Sequence, residues 1–172
     1  MEKVNRRRQR GCDSLSVPGM IDALQQCENL MGVETSNIFL LEAVLTYLPY
    51  VEVMGTFKNR DATFPIPPQN SISLVHGARL TSLHLSGVEL RDLPPMYFLK
   101  QLHLKWVRFT DPNPFRDFEM PRLRSFIMNN CAGPQSALKY LPLMTGLATA
   151  TGLKRLELVR VPFLGELVLC LL

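Results

Sequence analysis

Leucine recurs along this chain in one short phrase whose spacing is fixed. Leu-x-x-Leu-x-Leu stands at Leu80/Leu83/Leu85, Leu99/Leu102/Leu104 and Leu153/Leu156/Leu158. Each copy is followed at the same offset by valine (Val88, Val107, Val161), and two positions later by a large apolar residue (Leu90, Phe109, Phe163). With 29 leucines in 172 residues, three leucines at fixed places match by chance about once in such a chain. A fourth match, Leu138/Leu141/Leu143, begins 15 residues after Leu123 and continues into an apolar Leu147/Ala148 face, so it reads as helix. The shared Val and apolar extensions set the other three apart as a repeat.

That phrase is the strand segment of a leucine-rich repeat, with Val where the motif prefers Asn or Cys. A degenerate copy at Leu123/Phe126/Met128 keeps the cysteine, as Cys131. Looser copies lie upstream: Leu30, Val33, Thr35 and Ile38, then Leu48, Val51, Val53 and Thr56. The anchors 30, 48, 80, 99, 123 and 153 are spaced by 18, 32, 19, 24 and 30. Their mean falls inside the ~20–29 residues of this repeat class. The predicted fold is α/β, an irregular leucine-rich-repeat solenoid (a horseshoe) of about six short parallel strands.

The segments between strands read as the returning arms. Pro18 opens a helical run through Met20, Ile21, Leu24 and Cys27, with Pro in the first turn. Ser36 or Asn37 can cap a second helix, whose apolar residues Leu40, Leu41, Val44, Leu45 and Leu48 keep i, i+3, i+4 spacing. A third is predicted from about Ser136 to Ala150, interrupted by Pro142. Between Met96 and Leu99 there is room only for a turn. The run Phe64-Pro65-Ile66-Pro67-Pro68 favours an extended, polyproline-like connection.

Alternation along a strand sorts the side chains into two faces. If Leu83, Leu85, Leu102 and Leu104 point inward, their neighbours line an open concave face. Its central column reads Glu34, Glu52, His84, His103, Ile127 and Glu157, with Tyr50 and Met54 flanking Glu52. The candidate partner-binding residues on this face are Tyr50, Glu52, His84, His103, Lys105, Asn129, Arg155 and Glu157. His84 and His103 are predicted neighbours. Zinc would need further ligands, which the column does not supply, so no metal site is predicted.

Charge changes this picture only at one end. Residues 1–10 hold Lys3, Arg6, Arg7, Arg8 and Arg10 against Glu2, while the remaining 162 residues balance 14 basic with 14 acidic groups. The sequence pI near 9.0 therefore describes a basic lead-in. Residues 1–17 are expected to be poorly ordered, and 18–172 to form the repeat domain. Arg6, Arg7, Arg8 and Arg10 are a candidate nuclear-import patch. A nucleic-acid-binding domain should carry its cations across one face, and the balanced remainder argues against that role. No window offers the ~18 apolar residues of a transmembrane helix, and no apolar run follows the basic start as a secretory signal requires. Cys12, Cys27, Cys131 and Cys170 lie far apart without a C-x-x-C pair, which suits a reducing compartment, cytoplasm or nucleus.

Catalysis finds little footing. Glu89/Asp92 and Asp117/Glu119 lie on segments that read as surface, where paired charges are solvated. There is no Gly-rich phosphate loop, no set of nucleophile, base and orienting group, and no cofactor signature. His76 falls in a loop. Trp106 alternates with Leu104 and reads as core or partly buried.

Several phrases are too particular to be generic repeat residues: Val33-Glu34-Thr35-Ser36, Phe64-Pro65-Ile66-Pro67-Pro68, Lys105-Trp106-Val107-Arg108, Asn130-Cys131-Ala132-Gly133-Pro134 and Val159-Arg160-Val161-Pro162-Phe163-Leu164-Gly165. From about Arg6 to Gly165 the chain resembles the leucine-rich region of F-box substrate receptors. The resemblance implies a non-catalytic role, in which the repeats hold a protein substrate for a cullin–RING ubiquitin ligase. It also implies that Skp1 and cullin are reached only through an F-box, an upstream helical element for which residues 1–17 lack the apolar content. Leu164–Leu172 is apolar and stops inside a returning arm, so the expectation is a fragment, incomplete at its C-terminus. A stand-alone repeat module that binds or inhibits a protein without any ligase remains the alternative.

Overall fold

The computed structural model describes residues 16–48, 50–56, 71–72, 74, 79–133 and 141–161. Along the chain these form α1 (Val17–Gln25), β1 (Gly32–Thr35), α2 (Ile38–Tyr47), β2 (Val53–Thr56), β3 (Ser71–Ile72), β4 (Ser82–Ser86), β5 (Glu89–Leu90), β6 (Gln101–Lys105), β7 (Arg108–Phe109), β8 (Ser125–Asn129), α3 (Leu141–Thr149) and β9 (Arg155–Val159). The basic lead-in, Cys12, the Phe64–Pro68 segment, His76, Leu138, Phe163, Cys170 and the apolar tail lie outside the described residues.

Six strands make one parallel sheet in the order β1-β2-β4-β6-β8-β9. Parallel neighbours cannot be joined by a tight turn and need a crossover. Here every crossover advances the chain by one strand, which is the signature of a solenoid. The chain is a leucine-rich-repeat solenoid. Register aligns the leucines of the phrase: Leu83, Leu102, Phe126 and Leu156 share one inward column, and Leu85, Leu104, Met128 and Leu158 the next. Leu83, Leu85, Leu102, Leu104, Phe126 and Met128 are buried, each side chain contributing roughly 1.5–3 kcal/mol.

Two expectations about these columns need correction. The second repeat is anchored at Val51, not Leu48: Met54 pairs with both Val33 and Leu83 and is buried, so it belongs to the inward column. Leu48 is instead the C-cap of α2, its apolar character serving the helix face. The anchors become 30, 51, 80, 99, 123 and 153, with more even spacings of 21, 29, 19, 24 and 30. Leu156 and Leu158 are only partly buried, because β9 has a strand neighbour on one side alone among the described residues.

In the large sheet, β4, β6, β8 and β9 are each followed by a residue with positive φ. Gly87 (70°), Trp106 (53°), Asn130 (52°) and Arg160 (50°) occupy one repeat position. Three of them donate their N–H across the sheet: Gly87 to the Lys105 carbonyl, Trp106 to Asn129 and Asn130 to Val159, all at 2.9 Å. This left-handed turn stops β4, β6, β8 and β9 on the same rung. Trp106 is therefore half-buried at a turn rather than in the core.

Behind the turn, β3, β5 and β7 form a second parallel ladder. Val88, Val107, Cys131 and Val161 are buried at the motif's Asn/Cys position. Cys131 Sγ donates to the Leu104 carbonyl at 3.5 Å, and burial pushes its thiol pKa up. Glu89 is buried too, contrary to its surface reading. Its register partner is Arg108, whose guanidinium lies 3.5 Å away and offsets its charge.

The returning arms differ from repeat to repeat. α1 is capped by Ser16, whose Oγ accepts the Gly19 N–H, with Pro18 in its first turn. α2 is capped by Asn37, whose Oδ1 accepts from Phe39 and Leu40 at 3.0 and 3.2 Å. Its predicted stripe Leu40, Leu41, Val44, Leu45 and Leu48 is buried. Between β7 and β8 no helix forms. Phe109, Phe115, Phe118 and Phe126 fill that space as a chain of tilted rings with centroids 5.0–6.1 Å apart. α3 returns to the helical solution, with Pro142 in its first described turn; the predicted stretch from 136 to 140 lies outside the described residues.

Candidate protein-binding face

The open face of the large sheet carries the side chains that alternate with the buried leucines. Its central column is Glu34, Gly55, His84, His103, Ile127 and Glu157. Gly55 stands where Glu52 was expected. A Cβ at Gly55 would meet Glu34 Cγ at 3.0 Å. Glu52 sits one step before β2, on the rim, and Tyr50 in the turn preceding it; both are exposed.

His84 and His103 are brought together as expected. Their rings stack with centroids 4.4 Å apart and planes 7° from parallel. Each imidazole is held by a serine: Ser82 Oγ lies 3.2 Å from His84 Nε2, and Ser125 Oγ 3.1 Å from His103 Nε2. Which partner donates depends on the tautomer. Partial burial lowers the pKa of His103, the neighbouring His84 and Arg155 push it the same way, and Glu157 opposes them. The fold thus favours the neutral form of His103 within the stack.

Around this pair, Arg155 donates to Glu157 at 2.8 Å, Asn130 Nδ2 donates to Asn129 Oδ1 at 2.6 Å, and the Lys105 ammonium lies 4.4 Å from the Trp106 ring centroid. Lys105 and Arg155 are exposed, Asn129 and Glu157 half-buried. All of the expected binding residues except Tyr50 and Glu52 lie on β4, β6, β8 and β9.

The side chains gathered here are of kinds that recognition surfaces use. Two serine–imidazole contacts exist, but no carboxylate is hydrogen-bonded to either imidazole among the described residues, so the orienting member of a triad is missing. No group of three His, Cys, Asp or Glu suited to a metal is found among the described residues. No helix among them is long and apolar enough to cross a membrane. A polar, pre-ordered sheet with aromatic and charged side chains is suited to a protein surface.

A charge pattern that balanced totals conceal also becomes visible. Residues 16–56 contain Asp22, Glu28, Glu34, Glu42 and Glu52 and no Lys, Arg or His. The cations gather at the other end of the sheet. One column, set just before the strands, reads Met31, Glu52, Thr81, Lys100, Arg124 and Lys154. Reading the residue after each repeat anchor would have found it in the sequence.

Comparison with known proteins agrees with this description. The family model described as Leucine Rich Repeat matches residues 99–118, the repeat of β6 and β7. The chain is 52% identical over 165 residues, 96% of its length, to F-box only protein 38 of Homo sapiens, and equally to that of Mus musculus. It spans 14% of the length of these curated relatives. No solved structure matches it.

Proposed function

We propose that this chain is the substrate-recognition part of an F-box subunit of an SCF-type cullin–RING ubiquitin ligase, acting in cytoplasm and nucleus. The repeats bind a protein and take no part in catalysis. Skp1 and cullin contact belongs to an F-box, and ubiquitin transfer to other subunits. The observation that supports this best is the likeness over 96% of the chain to a protein named for its F-box, joined to an open sheet whose polar groups are ordered but unoccupied by any reaction geometry. Stacked imidazoles, Glu157, Lys105 and Asn129 offer the fixed mixture of donors, acceptors and flat surfaces that recognition of a folded partner uses.

Affinity capture tests it. The immobilised chain is expected to retain proteins that accumulate when the longer receptor is depleted from cells, and His84→Ala with Glu157→Ala should release them. Purified Skp1 should stay in the flow-through. Retention of Skp1, or capture indifferent to the face variant, overturns this division of labour.

A further inference from the structure

We propose that the exposed column Lys100, Arg124 and Lys154 is the docking strip for a short carboxylate-rich segment of the protein partner, a proposal that rests on the receptor reading above. The three residues hang from consecutive rungs of one ladder. The Arg124 N–H donates to the Lys100 carbonyl and the Lys154 N–H to the Arg124 carbonyl, both at 2.8 Å. Their strands are therefore only ~4.8 Å apart. Like charges side by side on adjacent strands repel and weaken a sheet. Among the described residues the ion pairs use Arg91, Arg108, Arg116 and Arg155, and none of these three. The arrangement gains nothing for folding and is relieved by an external anion.

The size and chemistry of that anion follow from the strip. Two rung intervals span about 10 Å, the reach of three or four extended residues. Beside the strip Phe98 is 48% exposed, and the Arg122 guanidinium lies 5.1 Å from its ring centroid. It gives one apolar contact next to the cations. In the same column the sign reverses two rungs before Lys100, at Glu52. A polyanion continuing along the sheet would meet Glu52 and Glu34, whereas a peptide can end its acidic run after a few residues. A peptide is the better fit.

The test is fluorescence anisotropy of the full 172-residue chain with a labelled peptide of alternating Glu and Asp, four residues in all, flanked by Gly-Phe. Reversal by Lys100→Glu, Arg124→Glu and Lys154→Glu is expected to weaken binding at least roughly tenfold. The same change of net charge through Arg6→Glu, Arg7→Glu and Arg8→Glu should leave it within about twofold, since those residues are not among the three of the strip. Circular dichroism checks the fold, and Gln at the same three positions replaces Glu if the reversal unfolds the chain. Unchanged peptide binding after strip reversal overturns the proposal, as does loss of binding only on lead-in reversal. A single-stranded oligonucleotide of equal charge that bound the strip more tightly would overturn it in favour of nucleic acid. Substrate capture that persists while the peptide fails to bind leaves the receptor reading standing and removes the acidic strip alone.

Discussion

Residues 16–56 cover the inward face of β1 and β2 with α2, itself backed by α1, whereas residues 79–133 cover that of β4, β6 and β8 with a short β ladder and four phenylalanine rings. The first region carries five acidic residues and no Lys, Arg or His, and the second carries eight of the chain's 19 Lys and Arg. In the helical region, local rules do much of the ordering: capped ends, a first-turn proline and an i, i+4 stripe. The other region holds through side-chain contacts outside any helix, such as the ring chain and, across 19 residues, the Glu89–Arg108 pair. One repeat phrase thus supports two kinds of interior, because the sheet demands only that its inward columns be filled.

The difference is sharpest in the response to a cavity. Phe115 is fully buried at the centre of the ring chain, so Phe115→Ala should cost about 3–5 kcal/mol. In a stack whose repeats touch only neighbours, the loss should be local. Hydrogen exchange should show faster amides in β6 and β8 while α2 keeps its protection; equal acceleration in both regions would make them one cooperative unit. Next in size is Gly146 in α3. A Cβ there would collide with the Phe118 carbonyl and ring, so Gly146→Ala should lose about 1–3 kcal/mol by overpacking, measured by chemical denaturation. Removing the cap of the helical region is milder. Asn37→Ala should cost about 1 kcal/mol, with the lost protection confined to α2 and its contacts.

The smallest expected effect depends on pH. His103 has its pKa held below the ordinary 6.5 by partial burial first and by its neighbours His84 and Arg155 second. Between the two values the unfolded chain binds the proton that the folded chain refuses. Stability from this group is therefore complete above 6.5 and declines as pH falls through the lower, folded value. Thermal unfolding between neutral pH and pH 5 should show a loss that His103→Gln reduces. An unchanged slope would separate the imidazole stack from stability.

Most of the sheet was legible in the sequence because alternation and a fixed phrase report it directly. Leu83, His84 and their counterparts on β6 fall where period two puts them, and the histidine pair followed from register alone. The slip at β2 came from Leu48, whose apolar side chain closes a helix three residues before the true anchor Val51. Glu89 was misplaced because a lone carboxylate carries no local sign that a cation stands opposite it on another strand. Trp106 is half-buried and not core because alternation ends at the turn, where φ changes sign. The basic column escaped notice because only a net total was taken, and opposite ends cancelled.

The shared left-handed turn has a consequence for building with this scaffold. Because β4 and β6 stop on the same rung, the 19 residues from Leu80 to Phe98 form a cassette whose entering and leaving edges have the same parallel register. A second copy spliced in after Phe98 would enter between β4 and β6, offer the sheet another Leu83/Leu85 pair, and lengthen the molecule by one strand. The histidine stack would grow from two rings to three in the same stroke, giving a ruler of added length that an NMR titration can read.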